Sequence, residues 1–135
     1  MGERADMPRI AAALDIAVSS STSESLPSVV GEAMSCGVSC VVTDVGDSAW
    51  LVGATGLVAP PGNPAALAEA WAGLVSRGAE GRKTLGLAAR QRIVDQFSLE
   101  AFQGRYEQIY RRALDPRRTT SERAPGLQGV SRSGG

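Results

Sequence analysis

Three apolar runs of strand length, separated by helical patterns, predict an α/β fold: a partial parallel sheet of about three strands with helices, followed by C-terminal helices. The runs are Ile16, Ala17 and Val18 within residues 15–20, VSCVVT at 38–43, and GLVA at 56–59. Each is continuous, not alternating, which suits strands covered on both faces, as in parallel sheets. Strands alternating with helices imply right-handed crossovers.

The elements follow in order. Residues 5–14 read as a short helix or turn, with Pro8 near its start and Ile10, Ala11 and Leu14 on one side. A helix is predicted over 27–37, because proline's fixed φ suits the first helical position, where its missing N–H costs nothing. On it Val29, Val30, Ala33 and Met34 make an apolar face, and Ser28, Glu32 and Ser35 the opposite one. Residues 47–52 allow one helical turn capped by Asp47 or Ser48. Asn63 caps a helix with Pro64 at its first position and an apolar stripe of Leu67, Ala70, Trp71, Leu74 and Val75. A further helix is predicted over 80–96, using Leu85, Ala88, Ala89, Ile93 and Val94. Ser98 caps the last one, with Glu100 in its first turn, Phe102, Tyr106, Ile109, Tyr110 and Leu114 on one side, and Pro116 at its end. Trp71, Phe102, Tyr106 and Tyr110 are expected to be core or packing residues. From about residue 117 the chain is Arg-, Ser- and Gly-rich with few large apolar residues, so 115–135 is expected to be a disordered tail.

Composition narrows the function. At 135 residues the chain suits one small domain, burying about two-thirds of its unfolded surface. Lys+Arg 14 against Asp+Glu 14 gives no electrostatic reason to invoke nucleic acid or an anionic membrane. Histidine is absent, so no histidine base, metal ligand or pH switch is available. Cys36 and Cys40, without histidine or further cysteine, cannot build a structural zinc site and read as buried free thiols in a reduced setting. Residues 1–10 lack the apolar run of a signal peptide, and no run of about 18 apolar residues exists to span a bilayer. The expected location is cytoplasmic, with a peripheral membrane association left open.

The stretch 19–44 carries the chemistry. Glu24 lies before the predicted helix and Glu32 on it, with seven residues between them. The free N–H groups and the dipole at the helix start make residues 26–30 a phosphate seat. A carboxylate beside it accepts hydrogen bonds from the hydroxyls of a sugar or ribose. On spacing alone a solvated loop carboxylate at Glu24 and a surface ion pair at Glu32 stay open. So does the choice between a flexible turn and a phosphate-facing loop at 19–23.

These residues, in register with others, resemble the C-terminal domain of the group 1 (family 4) retaining glycosyltransferases of GT-B fold, whose half-domains are Rossmann-like. The resemblance rests on Glu24, Pro27, Glu32, Ala33, Met34 and Gly37, then Val42, Thr43, Asp44, Val45 and Gly46, then Thr55 to Val58 with Pro60, Pro61 and Gly62. Ala89, Arg90, Phe97, Ser98, Arg105, Tyr106 and Tyr110 extend it, so that it covers about residues 10–114. It implies that Glu24, the catalytic-site carboxylate, contacts hydroxyls of the donor sugar. It implies that Glu32 holds the ribose of a nucleotide diphosphate, and that Ser25, Leu26, Pro27, Ser28 and Val29 face the donor. No cofactor and no metal ion is implied, the nucleotide-sugar being a substrate; the acceptor is unspecified.

Departures from the family pattern are Ser25 for a glycine, Ser39 for a proline, and Asp47, Ser48, Ala49 and Trp50 where an acidic residue is common. An acceptor-binding N-terminal domain and the Arg and Lys that bind the diphosphate have no counterpart in the chain. The expectation is a donor-binding region, residues 1–114, that transfers sugar poorly or not at all without a partner polypeptide. A nonenzymatic remnant or interaction module, and a sugar-nucleotide epimerase, are the alternatives. A terminal helix that loses its usual partner would expose part of the Phe102, Tyr106 and Tyr110 face, so self-association is a further expectation.

Overall fold

The computed structural model describes residues 6–114. Met7–Ala12 forms α1, Ile16–Ser19 β1, Ser28–Ser35 α2, Ser39–Thr43 β2, Ser48–Val52 α3 and Gly56–Ala59 β3. Pro64–Ser76 forms α4, Gly78–Phe97 α5 and Leu99–Ala113 α6, and a 3-10 turn, Gly53–Thr55, leads from α3 into β3. The three strands run parallel in the order β1-β2-β3. Ile16 stands opposite Ser39, and Cys40 opposite Gly56. The fold class read from the sequence is therefore the one observed.

Successive strand residues point to opposite faces, and β2, flanked on both edges, is buried along its whole length. Cys40 and Val42 enter a cluster with Val30, Ala33 and Met34 of α2, Leu51 and Val52 of α3, and Ala89 of α5. On the other face α4 packs against β2 and β3, with Leu74 fully buried. Two predicted caps are made: the Asn63 side chain accepts the Ala66 N–H at 3.0 Å, and Ser98 Oγ accepts the Ala101 N–H at 3.2 Å. Asp47 precedes α3 without such a bond.

Helix α5 braces the layer. A Cβ on Gly86 would stand 1.9 Å from the Gly37 carbonyl oxygen, so α5 lies directly on the turn after α2. Arg90 Nη1 donates to the Ser35 carbonyl at 3.0 Å. Arg92 Nε and Nη2 donate to the carbonyls of Leu51 and Trp50 at 2.9 and 2.6 Å, closing the end of α3.

Several expectations are corrected. β1 is an edge strand and is not covered on both faces: Val18 is exposed on the face where α4 packs against β2 and β3. Proline 27 is the cap of α2 instead of its first residue, and the helix stops at Ser35. Val29 sits exposed at the helix start, before the face that packs. Cys40 is buried as expected but Cys36 only partly. Of the core-or-packing residues, Trp71, Phe102, Tyr106 and Tyr110 are not core: each is about half exposed or more, since no layer among the described residues covers the outer side of α4 or α6, although the Phe102, Tyr106 and Tyr110 rings pack along one another. Helix α6 ends at Ala113, before Pro116. The tail at 115–135, like residues 1–5, lies outside the described residues.

Candidate functional site

The loop at residues 20–27 leaves the C-terminal end of β1 and enters α2, the position at which parallel sheets present ligand sites. It is held from behind by the loop after β2. Thr43 Oγ1 donates to the Ser21 carbonyl at 2.6 Å, and the Asp47 N–H to the Ser25 carbonyl at 3.1 Å. Gly46, at a φ of 51°, lies so close that a Cβ there would meet the Glu24 carbonyl oxygen at 2.0 Å. Only glycine combines that backbone angle with that approach.

In front of the loop opens a cleft of about 480 Å³, lined by Ala17, Val18, Ser19, Ser20, Ser21, Glu24, Pro27, Ser28, Val29 and Val30. Its wall is hydroxyl-rich, carries one carboxylate and has no lysine or arginine. Such a surface offers acceptors and donors to a polyhydroxyl ligand. The helix start is less open than the sequence suggests. The Ser28 N–H turns back to the Leu26 carbonyl at 2.9 Å, and the Val30 N–H goes to Pro27 at 3.0 Å. The Val29 N–H and the Ser28 hydroxyl remain for an anion.

Glu32 does not line this cleft. It stands one turn further along α2, on a second hollow of about 330 Å³ whose wall includes Leu26, Ser35, Leu51, Ile93, Phe97 and Phe102. Pro27 and Ser28 line both hollows and join them. Of the residues singled out from sequence, Glu24, Pro27, Ser28 and Val29 thus share the first hollow, and Leu26, Pro27, Ser28 and Glu32 the second. Ser25 lines neither; its carbonyl anchors the loop. Thr43 and Gly46 were missed as supports. A hydroxyl at a strand's C-terminal end and a glycine three residues on are the signals that mark them, and their target lies about 20 residues earlier.

Among the described residues no three cysteine or acidic side chains converge as metal ligands would. None of the described helices is long and apolar enough to cross a membrane.

A curated relative, N-acetyl-alpha-D-glucosaminyl L-malate synthase of Bacillus anthracis, is 30% identical over 112 residues, 82% of this chain and 29% of its own length. Sucrose-phosphate synthase from Thermosynechococcus elongatus superimposes with a TM-score of 0.67 at 30% identity, over 77% of this chain and 26% of that one. A glycosyltransferase from Rickettsia africae shares the fold at a TM-score of 0.75 and 23% identity, over 86% and 32% of the two chains. The chain therefore spans a third or less of each of these relatives. The family model described as "Glycosyl transferases group 1" matches residues 1–77, more than half of the chain and all of the Glu24 to Glu32 loop and helix. With that match, and with the parallel α/β layer it sits on, the chain belongs to the group 1 glycosyltransferases, a family of GT-B fold.

Proposed function

We propose that this chain supplies the donor-binding region of a retaining hexosyltransferase that moves a sugar from a nucleotide-sugar to an acceptor hydroxyl. The observation that carries the reading is the joined pair of hollows at the start of α2, with Glu24 on one, Glu32 on the other and Ser28 between them. Glu24 accepts hydrogen bonds from the donor sugar, and Glu32 from the ribose hydroxyls. The Val29 N–H, the Ser28 hydroxyl and the positive end of α2 face the diphosphate.

A leaving diphosphate needs more positive charge than one helix end provides. The cleft wall holds no cationic side chain. We infer that the cations, and the acceptor site, come from a further stretch of polypeptide, in a longer chain or in a partner, and that this chain alone transfers sugar poorly or not at all.

The test is a calorimetric titration of the chain with UDP, GDP and ADP, repeated on Glu32→Ala. One nucleotide is expected to bind at about millimolar Kd, roughly 4 kcal/mol, and at least tenfold more weakly in the variant. A folded chain that binds none of the three would sink the donor-site reading and favour an interaction module on the same fold.

A further inference from the structure

Resting on the donor-site reading, we propose that the hydroxyls of Ser19 and Ser21 recognise the donor sugar in the first hollow, and that Thr43 is the positioning residue that sets them there. Ala17 packs against the core cluster on the α2 side of β1. Strand residues two apart share a face, so Ser19 points to the same side, into the hollow in front of α2. Ser19 Oγ and Ser21 Oγ lie 3.4 Å apart on its wall. Val42 enters the cluster on the α2 side, so Thr43, the next residue, points the opposite way, onto a separate hollow of about 290 Å³ shared with Asn63, Pro64 and Leu67. From there its buried hydroxyl reaches the loop, donating to the Ser21 carbonyl at 2.6 Å and standing 3.5 Å from that of Ser19. The serine run is thus a thin wall between two hollows, with its hydroxyl pair toward α2 and a backbone tether on the α4 side.

The chemistry of the wall selects a neutral polyol. One hydroxyl of the pair donates to the other, which leaves one O–H to donate and lone pairs to accept. Glu24, on the same hollow, only accepts. A sugar hydroxyl does both, so it can donate a hydrogen bond to Glu24 and accept one from a serine. A sugar-linked diphosphate can only accept, and Glu24 repels it with no lysine or arginine on the wall to offset the charge. The diphosphate is therefore left to the start of α2, and the sugar to the serine side. The tether matters because a serine hydroxyl rotates to suit its surroundings, and its position is set by the backbone beneath. The Thr43 bond holds that backbone at Ser21.

Titration of the full chain with UDP, GDP and ADP, and with UDP-glucose, GDP-mannose and ADP-glucose, separates the two ends of the donor. For the base that binds, Ser21→Ala and Thr43→Val are each expected to weaken the nucleotide-sugar about fivefold or more, the worth of one hydrogen bond, and to leave the bare nucleotide within about twofold. Thr43→Ser keeps the hydroxyl and is expected to match the parent. Ser21→Ala, at a partly exposed loop position, carries the test if Thr43→Val does not fold. Equal losses for the nucleotide and its sugar conjugate would overturn the proposal, because a purely structural role weakens both. So would an unchanged affinity for the conjugate, or a parent that binds the nucleotide and no conjugate; either result leaves the donor-site reading standing. A folded parent that binds none of the six overturns both.

Discussion

Gly46 and Glu24 are in backbone contact: a Cβ at Gly46 would stand 2.0 Å from the Glu24 carbonyl oxygen and 2.8 Å from that of Ser25. The two loops that carry them, after β2 and after β1, can therefore be this close only while position 46 has no side chain. Gly46→Ala adds the clash to a strained φ of 51°. It is expected to cost about 2–3 kcal/mol in urea unfolding, and to lower nucleotide affinity more than tenfold as the Glu24 loop is displaced. A variant that binds nucleotide as tightly as the parent would show that the loop is positioned by other means.

The approach of Gly86 to Gly37 is equally close but belongs to the core. Gly86→Ala must push α5 away from the turn after α2, and is expected to destabilise the chain by about 3 kcal/mol or to prevent folding. Gly104→Ala is the control. A Cβ there meets nothing within 4 Å, and α6 should gain up to about 1 kcal/mol from the better helix former. Equal midpoints for the two variants in denaturant would refute the distinction.

Arg92 ties α5 to α3 through the carbonyls of Leu51 and Trp50, and its guanidinium lies 5.7 Å from the centre of the Phe97 ring. Arg92→Ala leaves those carbonyls at the end of α3 without their donor and is expected to cost about 1–2 kcal/mol. Arg92→Lys should lose most of the same amount, because an ammonium cannot span two carbonyls and face a ring as a planar fork does. Full stability of the lysine variant in thermal unfolding would mean that charge alone suffices.

Burial pushes the Cys40 thiol up to about 12. The folded chain therefore holds the thiol proton more tightly than the unfolded one, whose cysteine ionises near 8.5. Stability from this group is complete below about pH 8.5 and is lost as pH rises toward 12, by up to about 1.4 kcal/mol per pH unit. Cys40→Ala should flatten this part of the stability curve relative to the parent, and iodoacetamide at pH 9 should label Cys36 well before Cys40. Parallel curves for the parent and the variant would show that the buried thiol does not govern alkaline unfolding.

Much of the fold was legible because it is written locally. A proline after Asn63, a serine before a helical stripe, and unbroken runs of Val, Cys and Ala each act within a few residues, and the caps at Asn63 and Ser98 and the three strands formed where those signals stand. The family could be read from residues 10–114 for the same reason: its motif lies in one loop and one helix. What the chain order could not convey is which apolar faces find a partner. Trp71, Phe102, Tyr106 and Tyr110 repeat at helical spacing as core residues do, yet they stand half exposed or more.

The candidate site divides along the same line. The sequence by itself determined that Glu24 precedes a helix, that Glu32 rides on it, and that a helix N-terminus lies between them. Only the tertiary structure decided that the two carboxylates open onto separate, joined hollows, and that Thr43 and Gly46 hold the loop that carries one of them. Local backbone preferences act over a turn or two, whereas a hollow is a property of surfaces brought together from distant parts of the chain. Its shape follows from how closely α2, α3 and α5 can pack, which is set by glycines, carbonyls and side-chain volumes that no single segment contains.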